Sequence, residues 1–282
     1  MPRGYCGVQQ SSDLWFNPPM SSASALDVYR SAGPPLEDLA REAWLLDRAA
    51  KGSVSLLVTS WHGPVVVLGY AQKPEEADLE WCRENGVPVL RRLTGGTGVI
   101  HQGDLGVGLF LPQDHPWAKG VIGLYGHFLD VLDPALRSMG SAVSRLDEPG
   151  HASRVRSPVC FLDQLSDTLV VDGGKAVGCA QTRRRGSVLI HAAILLGLDA
   201  ELYARVFGVA EEEVRSGLAP ALPGADWRAV GFAIAEGLSN ALGLRVRHCS
   251  LEPLADCYLE PYRSSRWAPV AAEGSSGGIP DS

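Results

Sequence analysis

The sequence predicts an α+β fold with a mixed β-sheet and flanking helices. Some segments have apolar runs of strand length, and others have apolar residues at helical spacing. Their order along the chain is helix, strands, helix, strands, helix, strands and terminal helices. This order lacks the regular strand-helix-strand alternation of an all-parallel sheet, so a mixed sheet is expected. The 282 residues are 45% hydrophobic and 20% charged, which is typical of a globular domain.

The first third of the chain predicts an arm, a helix, a hairpin and a second helix. Leu36, Leu39, Ala43 and Leu46 recur at helical spacing, with acidic residues in the first turn. His62-Gly63-Pro64 separates two apolar runs as a turn would. The predicted elements are an irregular arm over 1–33, a helix over 36–50, a β-hairpin from 56–61 and 65–68, and a short helix over 74–86.

The rest of the chain is predicted to continue with strands and to end in helices. Asp172-Gly173-Gly174 between two apolar runs predicts a hairpin that places Lys175 at the start of its return strand. The other predicted elements are a strand, loop and strand over 87–112, a helix over 125–136, hairpin strands over 167–171 and 176–184, a strand over 187–197 and helices over 200–243. We divide the chain into the arm over 1–33, a core over 34–200, a small C-terminal helical extension over 201–255 and a flexible tail over 256–282.

Composition argues against several classes of protein. The net charge of −7 argues against a nucleic-acid binder. The longest apolar runs fall short of the roughly 20 residues that cross a bilayer, and the N-terminus has no secretion pattern, so we expect a cytoplasmic protein without a membrane partner. Six scattered cysteines without CxxC spacing predict neither disulfides nor a metal site. Nothing in the sequence requires more than a monomer.

A glycine-rich loop, RRLTGGTGVIHQG, occupies residues 91–103. Its glycines allow backbone N–H groups to approach a ligand closely. The loop matches neither the P-loop pattern nor the dinucleotide-binding pattern, which disfavours a conventional nucleotide site. Contact with a ligand and a plain connection between strands remain equally open, and the same holds for His101 at the end of the loop.

Cys160 and Lys175 are the candidate catalytic pair. A neighbouring cation turns a cysteine into a nucleophile by stabilising its thiolate, and a strand followed by a turn can bring Lys175 back to Cys160. The alternative, which pattern alone favours, is a core thiol and a solvated lysine. Cys179 is the second-choice nucleophile, and His191 in an apolar strand is predicted to be structural. Arg183-Arg184-Arg185 offers a basic surface for an acidic partner or a phosphate-bearing arm.

Two motifs resemble the lipoate-protein ligase and octanoyltransferase family. RRLTGGTGVIH followed by GDL resembles its RRxTGGxAVxH motif, and GGKAVGCAQTRRRGSVLIHAAILL resembles its GxKxxGxAQxR segment with the LxHGSILL strand that follows. WHGPVVVLGYAQ upstream and AIAEGLSNALGL downstream extend the resemblance to about residues 34–255. In the family's LipM-type octanoyltransferases a nucleophilic cysteine lies in a Cys-Phe segment upstream of the lysine motif, where this sequence has SPVCF. The sequence departs from the motifs at Thr97, Gly98 and Ala192-Ala193. Gly106 to Gly108 also interrupt a segment that is more polar in the family. All of these positions are expected to border the acyl pocket.

The resemblance implies the mixed-sheet acyltransferase domain of the biotin and lipoate ligases. It further implies that Cys160 takes an octanoyl group from acyl carrier protein and passes it to a lysine of a lipoyl domain, such as the glycine-cleavage H protein. Lys175 would polarise the carbonyl, the loop or Gly178 would supply oxyanion donors, and the basic run 183–185 would meet the carrier protein. No cofactor is implied. The residues implied to bind substrate are Arg92, Thr94, Gly95, Gly96, His101, Gly178, Ala180 and His191.

Two other functions are kept as alternatives. An ATP-dependent lipoate or octanoate ligase would use ATP and Mg²⁺, with Lys175 at the acyl-adenylate and Cys160 incidental. A non-catalytic acyl-carrier-binding protein would keep the fold without covalent transfer. Dependence on ATP separates the ligase from the transferase, and absence of any acyl transfer would support the non-catalytic protein.

Overall fold

The computed structural model describes residues 23–146, 157–162, 168–184 and 186–270. In these residues the predicted α+β class is confirmed. The strands are β1 Ala25–Ser31, β2 Val54–Thr59, β3 Val65–Leu68, β4 Val89–Arg91, β5 Val99–His101, β6 Leu105–Pro112, β7 Ser144–Arg145, β8 Leu169–Val171, β9 Gly174–Lys175, β10 Val177–Arg184, β11 Ser187–Ile194 and β12 Arg245–His248. The helices are α1 Pro35–Ala49, α2 Leu79–Glu84, α3 Val121–Ser138, α4 Ala200–Phe207, α5 Glu211–Gly217, α6 Trp227–Leu242 and α7 Asp256–Arg263.

A six-stranded mixed sheet, in the order β10-β11-β6-β2-β1-β12, forms the centre of the molecule. β1 runs parallel to both of its neighbours, while β2, β6, β11 and β10 pair antiparallel in succession. Helices α3 and α6 pack on one face, and α1 with α7 packs on the other. Because both faces are covered, the inner strands carry continuous apolar runs in place of alternating ones.

Two three-stranded sheets lie beside the main sheet. One, in the order β4-β3-β5, shares a hydrophobic core with α2 and α4. The other, β7-β8-β9, contains the turn at Asp172-Gly173, where φ is +49° and +82°. Positive φ at both central residues is typical of a type I′ turn, so the predicted hairpin turn is confirmed. Its return strand is β9, which ends at Lys175. The predicted pairing of 176–184 with 167–171 is wrong, because these residues form β10, which pairs with β11 in the main sheet.

The structure corrects two predictions in the first third of the chain. Residues 25–31, which we assigned to the irregular arm, form β1 inside the main sheet. The hairpin of 56–61 and 65–68 is wrong, because β2 pairs with β1 and β6 whereas β3 pairs with β4 and β5. Both runs are buried on both faces, so neither has the alternation that would identify a partner strand.

The C-terminal region also departs from the prediction. It was expected to be helical and then flexible, but β12 lies in 201–255 and pairs with β1, and α7 lies in the expected tail. Val270 forms a β-bridge with Val89. The remaining parts of the arm and tail, residues 1–22 and 271–282, lie outside the described residues.

Candidate active site

A pocket lies above the main sheet on the side of α1. Its floor consists of small residues on three adjacent strands, and the strand register places Ala180 of β10, His191 of β11 and Gly108 of β6 in one row. Gly178, Ala193 and Gly106 form the next row. Apart from His191, these positions carry no large side chain, which leaves space between the sheet and α1. Of the positions that depart from the family motifs, Gly106 to Gly108 and Ala192-Ala193 line the pocket, whereas Thr97 and Gly98 do not, so the expectation for those two is wrong.

A chain of hydrogen bonds crosses the pocket from α1 to the glycine-rich loop. Glu42 Oε1 lies 3.0 Å from His191 Nδ1, and His191 Nε2 lies 2.8 Å from Thr94 Oγ1. The carboxylate can only accept, so Nδ1 carries the proton and Nε2 accepts from the threonine hydroxyl. His191 is thus held at both ring nitrogens. Glu42 is buried, and its Oε2 has no hydrogen-bond partner in the described part of the chain.

Arg92 shapes the glycine-rich loop from inside the protein. Its side chain is only 4% exposed, and Nη2 donates to the carbonyls of Gly95 and Thr97 at 2.8 and 2.9 Å, while Nε donates to Thr94 Oγ1 at 2.9 Å. These bonds fix the loop conformation. Arg92 also lines the pocket, but its hydrogen bonds make it a positioning residue for the loop.

Glycines in the loop, and Gly69 next to it, allow close backbone contacts that larger residues would prevent. A Cβ on Gly69 would lie 2.0 Å from the Gly96 carbonyl oxygen, and a Cβ on Gly98 would lie 2.4 Å from Phe207 Cζ. Gly96 has φ of +88°. A Cβ there would be 3.7 Å from Cys160 Sγ, so the loop passes directly beside the thiol.

Cys160 and Lys175 come together at one end of the pocket. Cys160 begins a 3₁₀ turn over Cys160–Leu162, is half-buried and lines the pocket. Its N–H donates to Gly98 O at 2.9 Å, which fixes the turn against the loop. Lys175 Nζ donates to Cys160 O at 3.0 Å and lies 5.7 Å from the centre of the Phe161 ring. Lys175 is only 8% exposed, so the alternative of a solvated lysine is wrong.

Cys179 is half-buried and lines the same pocket as Cys160. Burial raises the pKa of its thiol to about 12, an effect larger than the opposing one of Lys175. The thiol of Cys179 therefore stays protonated near neutral pH, and thiolate chemistry there is disfavoured.

The basic run 183–185 does not form one surface. Side chains alternate between the faces of a strand, and Arg183 donates to Ala118 O and Gly120 O, both at 2.6 Å, beside the start of α3. Arg184 lies on the pocket face, with its guanidinium carbon 5.2 Å from the centre of the Tyr70 ring. Arg185 lies outside the described residues.

His101 lines the pocket at the end of the glycine-rich loop. Its Nδ1 lies 2.8 Å from Asp104 Oδ2, and its ring meets Trp61 edge-on at 5.0 Å between centres. Trp61 in turn donates from Nε1 to Asp38 Oδ2 at 2.8 Å. His101 is therefore fixed in the wall of the pocket by a carboxylate and an indole.

Sequence analysis missed two buried carboxylates in the pocket wall. Asp38 and Glu42 lie one turn apart on α1, both line the pocket, and burial raises the pKa of Asp38. A signal was available, because both positions belong to the helical stripe that continues to Leu45 and Ala49. Acidic residues on an apolar stripe point to a polar site within the core.

The described residues offer no obvious metal centre or membrane span. No group of three or more His, Cys, Asp or Glu side chains within them is arranged to hold a metal ion. None of the helices in the described ranges is long and apolar enough to cross a bilayer.

Comparison with known proteins identifies the class to which this fold and pocket belong. The lipoyl protein ligase A/B catalytic domain matches residues 34–222. A putative lipoate protein ligase from T. acidophilum with bound lipoic acid has the same fold, with a TM-score of 0.68 and 22% identity over 85% of this chain and 94% of that chain. A lipoate-protein ligase A bound with ATP has a TM-score of 0.68 and 21% identity, with the same coverage of both chains. The chain therefore belongs to the lipoyl protein ligase A/B catalytic domain family.

Curated relatives in this family carry a more specific name. Octanoyltransferase LipM of Geobacillus kaustophilus is 36% identical over 194 residues, which cover 66% of this chain and 70% of the relative. Octanoyltransferase LipM of Moorella thermoacetica is 33% identical over 209 residues, or 73% of each chain. The resemblance stated from the motifs is confirmed.

Proposed function

We propose that this chain is an octanoyltransferase of the LipM type that carries the acyl group on Cys160. The observation that carries the proposal is the buried ammonium of Lys175, held 3.0 Å from the carbonyl oxygen of a cysteine that faces the pocket. A cation in this position stabilises a thiolate and any negative charge that develops beside it. The octanoyltransferase relatives support the reaction class.

The reaction proceeds in two acyl transfers. The Cys160 thiolate attacks the carbonyl carbon of an octanoyl thioester, the carbon–sulfur bond of the donor breaks, and the donor thiolate leaves and takes up a proton. The neutral amine of an acceptor lysine then attacks the acyl-Cys160 thioester, forms the amide, loses a proton and releases the Cys160 thiolate. Lys175 and the backbone N–H groups of Gly95–Gly96 or Gly178 stabilise the two oxyanions.

The pocket above the sheet offers an apolar surface to an octanoyl chain. Apart from His191, its floor is glycine and alanine, and each CH₂ group moved from water onto it contributes about 0.8 kcal/mol. A Cβ at Gly108 would lie 3.3 Å from Phe110 and 3.4 Å from Leu189, so a larger side chain there would crowd the floor. The donor is acyl carrier protein and the acceptor is a lipoyl domain such as the glycine-cleavage H protein, both in the cytoplasm, and no cofactor takes part.

Intact-protein mass spectrometry tests the proposal. We expect the purified chain to gain one octanoyl group from octanoyl-acyl carrier protein without ATP, and hydroxylamine to remove it. Cys160→Ala should gain none, whereas Cys179→Ala, the matched control, should be acylated like the wild type.

A different pattern would identify a different enzyme. Modification of a lipoyl domain that requires ATP and free octanoate or lipoate, without an adduct on Cys160, would make the protein a ligase. An adduct that persists in Cys160→Ala and disappears in Cys179→Ala would move the nucleophile to Cys179.

A further inference from the structure

Two arginines from distant parts of the chain flank one exposed tyrosine beside the glycine-rich loop. The guanidinium carbons of Arg184 and Arg266 lie 5.2 and 5.7 Å from the centre of the Tyr70 ring, and Arg266 Nη2 donates to the Tyr70 hydroxyl at 3.3 Å. Tyr70 is 38% exposed. The three side chains, here called the arginine clamp, present two cations and a hydroxyl to solvent.

The charges of the clamp are not balanced within the described part of the protein. Neither Arg184 nor Arg266 forms an ion pair with any carboxylate of the described residues, although ten such contacts occur elsewhere among them. The chain as a whole carries a net charge of −7. Two guanidinium groups around one tyrosine ring, without a carboxylate partner in an acidic protein, offer a site for an external anion.

The clamp lies close to the reacting thiol. Tyr70 N–H donates to Thr94 O at 2.8 Å, which ties the clamp to the glycine-rich loop. The preceding residue, Gly69, is packed against Gly96, and Gly96 is packed against Cys160 Sγ. Arg184 lies on the same strand and the same face as Ala180 in the pocket floor. An anion in the clamp is therefore within reach of a chain attached to Cys160.

We propose that the arginine clamp binds the phosphodiester of the prosthetic arm on which the donor carries its octanoyl thioester. This inference rests on the proposed function and names the part of the donor that the protein recognises. About 13 bonds separate the phosphorus from the sulfur of a pantetheine arm, and at roughly 3.5 Å per three bonds the extended arm spans about 15 Å. Planar guanidinium groups match the geometry of phosphate oxygens. The acidic surface of the carrier protein is a less suitable ligand for the clamp. Such a surface would need several cations on one face, and Arg183 faces the opposite side of the sheet from Arg184.

Three octanoyl donors separate the parts of the carrier. They are octanoyl-acyl carrier protein, octanoyl-pantetheine 4′-phosphate and octanoyl-pantetheine, which lacks the phosphate. We expect Arg184→Gln and Arg266→Gln to lower kcat/KM about tenfold with the first two donors, mainly through KM, and to stay within twofold of wild type with the third. Arg245→Gln, which removes the same charge from the exposed strand β12 at the opposite edge of the main sheet, should stay within twofold with all three donors.

Each other result overturns the inference. Equal loss with all three donors would mean general damage to the site, and loss with the carrier protein alone would place the arginines against its protein surface. A loss in Arg245→Gln equal to that in the clamp variants would mean that the effect comes from net charge alone. Absence of acyl transfer from any donor to the wild-type chain would overturn the proposed function itself and is distinguishable from these outcomes.

Discussion

Lys175 is buried, and its ammonium donates a hydrogen bond to the backbone carbonyl of Cys160, the proposed nucleophile. Lys175→Gln keeps a hydrogen-bond donor and removes the charge, so the proposed thiolate and oxyanion both lose a buried cation beside them. We expect octanoylation of Cys160 to slow by 10²- to 10³-fold, in line with the loss of one oxyanion-stabilising group. Rapid-quench mass spectrometry measures this rate, with the exposed Lys119 changed to Gln as the control. A rate within a factor of three of wild type, with an unchanged melting temperature, would remove Lys175 from the chemistry.

The two cysteines beside Lys175 should differ in reactivity with pH. Burial raises the pKa of Cys179 to about 12, so its thiolate is scarce at pH 8. We expect iodoacetamide to label Cys160 at pH 8 and to label Cys179 only as the pH rises above about 10. Peptide mapping after alkylation across pH 6–11 resolves the two sites, with Cys160→Ala as the control. Equal labelling of both cysteines at pH 8 would contradict the burial of the Cys179 thiol.

The sequence predicts some of the site residues and not others for a physical reason. Cys160 and Lys175 belong to a local motif with a turn between them, so their approach follows from local chain geometry. Asp38 and Glu42 are helical carboxylates that an isolated helix would expose to solvent. Only the packing of α1 over the main sheet turns them into the pocket, and that packing depends on strands from residue 25 to residue 194.

The glycine-rich loop illustrates how one element depends on another. Gly98 passes so close to α4 that a Cβ would lie 2.4 Å from Phe207 Cζ, whereas nothing lies within 4 Å of a Cβ on Gly95. We expect Gly98→Ala to lower the free energy of unfolding by about 1–3 kcal/mol, the usual cost of overpacking. Gly95→Ala, three residues away in the same loop, should change it by less than about 1 kcal/mol. Urea denaturation of both variants measures their free energies of unfolding. An equal decrease in the two variants would show that the loop does not pack against α4 at Gly98.

Elements with a strong period are predictable from sequence, and their partners are not. Helix α1 follows from the spacing of its apolar residues and is confirmed within one residue at each end. Strand β1 was missed because residues 1–33 show no sustained hydrophobic period, and its seven residues include Asp27, a charge that is rarely buried without a partner. Arg247 of β12 neutralises that charge with bonds of 2.6 and 2.8 Å across 220 residues of sequence. No local pattern can reveal a partner that far away.

The same long-range pairing decides how much of the chain folds as one unit. A fragment over 34–200 contains the two motifs and most of the pocket, but it lacks β1 and α6. Five of the lost residues, Leu26, Val28, Val230, Ile234 and Leu238, are at most 1% exposed in the main core. At about 1.5–3 kcal/mol for each buried side chain, their loss is comparable with the 5–15 kcal/mol that stabilises a whole domain.

We therefore expect the 34–200 fragment not to fold, although it satisfies the domain boundary suggested by the sequence. A fragment over 23–270 keeps all strands of the main sheet and should melt cooperatively. Circular dichroism during heating distinguishes the two, and acylation of Cys160 provides a second readout for the longer fragment. A cooperative transition in the 34–200 fragment would mean that residues 201–255 are a true extension, and that β1, β12 and α6 add to a core that already stands without them.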